Sequence, residues 1–424
     1  MAAAQGGKPG LMARKAALEL LRGVLEHKIP LSELLEDQSI FEKLAPADRA
    51  RAQRLATTVL RWLGNADLVL ANHIERLPPL PALNVLRLAC VELLALGEAP
   101  HGVVDCAVTL MRQNPKARKF AGLGNAVLRK LSREDQGWDA LPPPQLPKWL
   151  RRRIVHIYDE QIVTAIEASH AVGAPLDLTL KSDAVQGLDA GILPNGTQRL
   201  SGSPQVTDLP GYSDGAWWVQ DAAATFAVKL LNPQSGERVL DMCAAPGGKT
   251  MQMAASGADV TALDMSGPRM KRVQQNLTRT GLKAQCHVAD ALHWEAEPFD
   301  AVLLDAPCSA TGTIRRHPDL PFVKDGKELD KLFALQSDLF DRAVTLTKPG
   351  GRVVFCTCSL LTEEGERQAK LGIERHGLEV LPPDVSGIDP AWRRGGGGLR
   401  LRPDYWADRG GMDGFFMIAL QKPL

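Results

Sequence analysis

No run of about 18 consecutive apolar residues occurs in the 424-residue chain, so no membrane-spanning helix is expected. Cysteine is scarce and odd in number: the seven residues are thinly scattered, which excludes a disulfide framework and points to free thiols in a reducing, cytoplasmic setting. No C-x-x-C pair is present to complete a tetrahedral zinc set, so no metal site is expected. Two common phosphate motifs are also missing. A Walker loop would need glycine where Cys243 stands, and G-x-G-x-x-G does not occur. Neither sign of charge dominates, the formal net charge being +1, so locally clustered basic residues matter more to a polyanionic partner than the total does. Residues 1–10, rich in Ala and Gly, lack the apolar core of a signal peptide and read as a disordered tip.

What is present divides the chain. Its length suits two or three domains, and 45% apolar with 23% charged residues is ordinary for a globular protein. Residues 11–137 carry apolar stripes at helical spacing, as in Ala17, Leu20, Leu21 and Val24, and read as an all-α domain. Residues 138–147 hold Pro142, Pro143, Pro144 and Pro147 and form a stiff linker. From 148 to 215 a helix up to about Ala171 and a strand from Pro175 to Lys181 indicate a small α/β subdomain. Residues 216–424 then alternate strand and helix: Arg238–Asp241, Val260–Asp264, Gln285–Asp290, Phe299–Asp305 and Arg352–Cys356, with tail strands at Leu378–Leu381 and Phe415–Leu420. Alternation of this kind predicts a parallel sheet covered by helices on both faces. Ser266 and Gly281 are placed to cap and stop the helix that opens near Pro268.

The chain is organised around Arg238-Val239-Leu240-Asp241-Met242-Cys243-Ala244-Ala245-Pro246-Gly247-Gly248-Lys249-Thr250. This is a short strand, a turn that only small residues can make, and a helix whose first amides face whatever occupies the turn. Asp241, Asp264, Asp290 and Asp305 each close a predicted strand, and Cys358 follows the fifth, so all five converge on the edge where open α/β sheets bind ligands. One such Asp is as easily a turn cap; the set is harder to read that way. Lys249 is placed to bond Asp241 or the carboxylate end of a cofactor.

Two further stretches, Asp305-Ala306-Pro307-Cys308-Ser309-Ala310-Thr311-Gly312 and Cys356-Thr357-Cys358-Ser359, add specificity. With the glycine-rich loop they resemble the S-adenosylmethionine-dependent RNA cytosine-5 methyltransferases, most closely the bacterial small-subunit ribosomal RNA enzymes of the RsmB (Sun/Fmu) type within the RsmB/NOP family. The helical domain resembles the NusB-like domain of those enzymes, through Ala99-Pro100-His101 and Asn125-Ala126-Val127-Leu128-Arg129-Lys130.

The resemblance implies a Rossmann-like, seven-stranded methyltransferase domain behind an all-α NusB-like domain, in a monomer acting on small-subunit ribosomal RNA. It implies that Cys243, Ala244, Ala245, Pro246, Gly247, Gly248 and Lys249 wrap S-adenosyl-L-methionine, that Asp264 binds its ribose and that Asp290 lies near its adenine. Cys358 becomes the nucleophile, Cys308 the group that assists release of the methylated base, and Asp305 the partner of the ring nitrogen and exocyclic amine. Cys308 remains a rival nucleophile, because DNA cytosine-5 methyltransferases place theirs in a Pro-Cys pair and Pro307-Cys308 matches it. Arg315, Arg316, Arg129 and Lys130 are the expected RNA phosphate contacts. Methylation of a transfer RNA or another ribosomal cytosine, and a non-catalytic RNA-binding assembly factor that retains the fold, stand as alternatives. Cys356, Cys90, Cys106 and Cys286 read as structural.

Overall fold

Helical periodicity gives way to alternating strands and helices after about residue 175, and the computed structural model of the protein follows that change. It describes residues 8, 10–42, 44–134, 136–182, 185, 187–202 and 204–424; the tip expected over 1–10 lies outside these except for Lys8 and Gly10. The described residues form two compact units. One takes Met1–Arg152 with Val163–Ala171 and Arg316–Asp325; the other takes Arg153–Ile162, Val172–Arg315 and Gly326–Leu424.

In the first unit, the helices Leu11–Leu25, Pro46–Arg61, Leu80–Leu94, Pro100–Gln113 and Ala121–Leu131 bury their apolar stripes against each other. Ala17, Leu20, Leu21 and Val24 are fully buried, beside Leu55, Val59, Leu86 and Cys90. Each buried leucine contributes roughly 1.5–3 kcal/mol of apolar transfer energy. The segment Arg316–Asp325 is built into this core: Phe322 and Val323 pack on it, and Asp319 Oδ2 accepts from the Leu31 amide at 2.9 Å.

The second unit holds two sheets. The smaller is antiparallel, with β1 (Leu176–Leu180), β2 (Ala190–Ile192), β3 (Gln198–Leu200) and β4 (Trp217–Val219) in the order β2-β3-β1-β4. Its buried Asp177 and Arg199 form a two-pronged pair at 2.6 and 2.7 Å. The single helix expected up to Ala171 is broken into Lys148–Tyr158 and Glu160–Val172. Asp159 takes a left-handed φ of 76° there, and its side chain caps the second helix by accepting from the Ile162 amide.

The larger sheet contains β5 (Arg238–Met242), β6 (Asp259–Asp264), β7 (Gln285–Val288), β8 (Phe299–Asp305), β9 (Thr347–Thr357), β10 (Glu379–Val380), β11 (Leu399–Leu401) and β12 (Phe415–Gln421). Seven strands run in the order β10-β12-β9-β8-β5-β6-β7, and β11 pairs with β12 beside that path. β7, β6, β5, β8 and β9, the five strands that alternate with helices, are parallel as expected, and the tail strand β12 runs antiparallel to β9, so the sheet is mixed. Helix Ala222–Leu231 packs in one apolar layer and helix Leu329–Thr345 in the other. Between the layers, Val302, Leu303, Leu304, Val353, Val354 and Phe355 are fully buried, as central parallel strands require. The capping signals at Ser266 and Gly281 operate on helix Gly267–Thr280. Among the described residues no helix is long and apolar enough to cross a membrane, and no cluster of His, Cys, Asp or Glu is arranged to hold a metal.

Candidate active site

Three loops beyond the carboxyl ends of the adjacent strands β5, β8 and β9 carry the side chains singled out by sequence. The first leaves β5 through Cys243, whose φ of 61° turns the chain, and is anchored where the Ala244 amide donates to Leu263 O at 3.0 Å. Ala245-Pro246 is a cis peptide, and Gly247, with φ 100°, opens helix Gly248–Ala255. A Cβ on Gly247 would lie 3.0 Å from Val273 Cγ1 in a backbone conformation L residues avoid, so the turn requires glycine there. Burial pushes the Cys243 thiol up to about 12, which makes it an inert packing group.

Asp241 lies fully buried beneath this turn. Thr250 Oγ1 donates to its Oδ2 at 2.5 Å, while Oδ1 has no hydrogen-bond partner among the described residues. Burial raises its pKa to about 7, although the Thr250 bond and the Lys249 charge pull the other way. A carboxyl raised in the folded state binds its proton more tightly there than in the unfolded chain. Its stabilisation is complete below about 3.8 and is lost as pH climbs through about 7. An Asp241→Asn protein, melted without cofactor, is therefore expected to gain stability relative to the natural protein between pH 5 and pH 8. A melting difference that stays constant across that range would contradict the assignment.

Lys249 does not bond Asp241. Its ammonium reaches across to β8 and pairs with Asp305 Oδ2 at 2.7 Å, while Thr250 bonds Asp241 Oδ2. Burial opposes the Lys249 charge, but Asp305, with Cys356 and Asp241 nearby, outweighs it and holds the pKa above the ordinary lysine value. The other Asp305 oxygen accepts from Cys356 Sγ at 3.5 Å. Burial and the Asp305 charge push the Cys356 thiol well up, so this cysteine is a hydrogen-bond donor and not a nucleophile.

Asp264, at the end of β6, is 3% exposed and closes the loop: Oδ2 accepts from the Ala245 amide at 3.1 Å and Oδ1 from the Ser266 amide at 2.9 Å. Asp290 falls two residues past the end of β7, half exposed, with Oδ1 accepting from the Leu292 amide.

Cys308 and Cys358 come together. Their sulfurs are 3.4 Å apart, both are reduced, and each is partly exposed. Backbone bonds hold the two loops side by side: Ala306 N–H to Cys356 O, and Gly312 N–H to Cys358 O, each 2.9 Å. A side chain at Gly312 would strike Gly414 O at 2.0 Å, so glycine lets the closing segment approach. The Cys308 pKa is driven well above the ordinary thiol value, first by its hydrogen bond with Cys358, then by burial and the charges of Cys358 and Glu364.

Arg315 corrects an expectation. It is fully buried, pairing with Asp221 at 3.2 Å and Asp413 at 3.4 Å and donating to Gly410 O, so its charge ties three segments together and does not face phosphate. Arg316, half-buried, belongs with the helical unit. Arg129 and Lys130 are exposed on helix Ala121–Leu131, near exposed Arg118 and Lys119. Sequence reasoning missed Glu364, which is fully buried beside Ser309; the acidic doublet six residues beyond Cys358 was its only signal.

With this geometry in view, residues 228–421 match the family described as 16S rRNA methyltransferase RsmB/F, and residues 11–133 match the NusB family. The ribosomal RNA small subunit methyltransferase B of Vibrio vulnificus is 34% identical over 401 residues, covering 85% of this chain and 91% of that protein. Its counterpart in Vibrio cholerae is 33% identical and covers 96% of this chain and 97% of that protein. Among solved structures, PH0851 has a TM-score of 0.75 at 23% identity, covering 99% of this chain and 100% of that one, a likeness of fold. A methyltransferase homolog protein from Pyrococcus horikoshii has a TM-score of 0.55 at 25% identity, over 65% of this chain and 95% of that one.

Proposed function

This chain belongs to the 16S rRNA methyltransferase RsmB/F family, and on that footing we propose that it methylates carbon 5 of a cytosine in small-subunit ribosomal RNA through a covalent bond to Cys358. The observation that carries the reading is the meeting of two reduced thiols, 3.4 Å apart, on the loops that follow β8 and β9, where β8 ends in a carboxylate paired to the lysine of the glycine-rich turn.

The turn suits S-adenosylmethionine. Asp241 Oδ1 is a buried acceptor without a partner among the described residues, which a cationic ammonium group would satisfy. The small residues from Ala244 to Gly248 leave room for backbone approach, and the loop that Asp264 closes offers ribose hydroxyls a carboxylate with unused lone pairs. When bound, the cofactor supplies a methyl group activated by sulfonium charge.

The chain's own residues prepare the acceptor. Carbon 5 of cytosine is a poor nucleophile until a group adds to carbon 6. The Cys358 thiolate forms the sulfur–carbon 6 bond, and the electrons of the 5,6 double bond move to carbon 5. Cys308, whose sulfur lies 3.4 Å from that of Cys358, is placed to take part in proton movement at carbon 5. Asp305 accepts from the exocyclic amine, with the Lys249 charge beside it to offset the negative charge that builds on the ring. After methylation, a water molecule beside Cys308 takes the carbon 5 proton, the electrons of that bond re-form the 5,6 double bond, and the sulfur–carbon 6 pair leaves with Cys358 as its thiolate. The base must be unstacked to be reached, which favours a flexible or single-stranded RNA site. The exposed cations Arg118, Lys119, Arg129 and Lys130 of the helical unit supply sequence-independent phosphate contacts.

Bisulfite sequencing of total RNA with and without the gene tests the reading. One small-subunit cytosine is expected to lose its protection when the gene is removed. Loss of a mark in transfer RNA alone, or no loss anywhere, would contradict it.

A further inference from the structure

Glu364 is a buried acid that the chemistry above does not use. The residue is fully buried, and among the described residues no cation lies within ion-pairing distance of its carboxylate. Neutral donors hold it instead: Oε1 accepts from the Ser309 amide at 2.8 Å and from Gln336 Nε2 at 3.0 Å, and Oε2 accepts from Ser309 Oγ. These donors satisfy both carboxyl oxygens, as a buried polar group requires. Ser309 follows Cys308 directly.

The same residue reaches the other thiol through its main chain. Glu364 O accepts from Thr357 Oγ1 at 3.3 Å, and Thr357 precedes Cys358. The two loops are then stitched by hydroxyls: Ser309 and Ser359 lie 3.1 Å apart, Thr311 and Ser359 3.2 Å apart, and the Leu360 amide donates to Thr311 Oγ1 at 2.9 Å. Gln336 completes the support by donating to Pro307 O at 2.9 Å, so the residue before Cys308 is fixed as well as the one after it. Helix packing alone needs none of these groups to be polar, since apolar residues of similar shape would fill the space with less desolvation cost.

We infer that Glu364 is the positioning residue of the thiol pair: its carboxylate clamps the Cys308 loop through Ser309, and its carbonyl steadies the Cys358 loop through Thr357. This rests on the proposed two-cysteine reading for its catalytic consequence, but the placement concerns the free protein. The Cys308 thiol, already raised by its neighbours, includes Glu364 among them. Of the charged groups around the pair, Asp305 contacts Cys356 and Lys249, and Arg400 binds Ser359 O and Glu366. Neither replaces the Glu364 bond to Ser309.

Alkylation of each cysteine, followed by mass spectrometry against pH in the intact protein without RNA, provides a readout that folding alone does not move. In a Glu364→Gln protein the Cys308 profile is expected to shift to lower pH, with kcat down about 10²-fold and KM for RNA unchanged. A Glu364→Asp protein, which keeps the carboxyl group at a shorter reach, is expected to restore the natural Cys308 profile and part of the kcat. Should Glu364→Gln fail to fold, Ser309→Ala removes one arm of the clamp and is expected to lower kcat without moving KM. Unchanged alkylation profiles in Glu364→Gln, or a kcat loss that Glu364→Asp does not relieve at all, would overturn the inference. If the natural protein methylates no cytosine while the profiles shift as stated, the proposed reaction fails and the thiol placement stands.

Discussion

A Cys358→Ala protein is expected to lose at least about 10³-fold in methyl transfer from labelled cofactor, while its cofactor affinity and melting temperature stay close to those of the natural chain. The size of the loss follows from the acceptor. Without sulfur at carbon 6, carbon 5 keeps its place in an aromatic ring and has no electron pair to offer. The remaining groups, Asp305 and Lys249, can orient the base but cannot create that pair. Small structural cost is expected because Cys358 is only partly buried and Cys358 O, which the Gly312 amide uses, is main chain. Cofactor binding is served by the β5 loop, which the substitution does not touch. A variant that retains a tenth of the natural rate would show that the thiolate is dispensable.

The second large effect concerns the way out of the reaction. Cys308→Ala is expected to turn over about 10²-fold more slowly or worse and to accumulate RNA joined to protein, visible as a slow-migrating band that survives denaturant. Carbon 5 bears both its original hydrogen and the new methyl group after transfer. Cys358 leaves only as that proton departs and the double bond re-forms. The geometry gives Cys308 this part: its sulfur lies 3.4 Å from that of Cys358, close to where the carbon 5 proton must leave. Were the Pro-Cys pair of the DNA enzymes the right parallel, Cys308→Ala would be inactive and free of adduct, and Cys358→Ala would form the adduct instead.

Much of this arrangement was legible in the chain. Strands ending in Asp264 and Asp305, and the one ending a residue past Asp241, could be read because each apolar run meets an acid, and the cap at Ser266 and stop at Gly281 are local signals that tertiary structure did not override. The paired thiols were legible as two short motifs. Features set by distant partners were not. A buried arginine and a solvated one look alike in sequence, so Arg315 was read as a phosphate contact when Asp221 and Asp413, 94 and 98 residues away, enclose it. The Lys249 partner depended on which neighbouring strand its side chain could reach. The break at Asp159 sits in an otherwise helical pattern, where one left-handed residue leaves little trace. Glu364 was invisible because nothing local distinguishes it from Glu363, which is partly exposed.

The central claim is that the sulfur of Cys358 is what attacks the base, and locating the covalent bond tests it most directly. RNA carrying 5-fluorocytosine at the target leaves no proton to remove from carbon 5, so the natural enzyme is expected to stop at the joined state. Trypsin then places Cys308 within residues 284–315 and Cys358 within residues 353–367, and fragmentation separates Cys358 from Cys356 in the second peptide. The account predicts the nucleotide on Cys358. Finding it on Cys308 would contradict it.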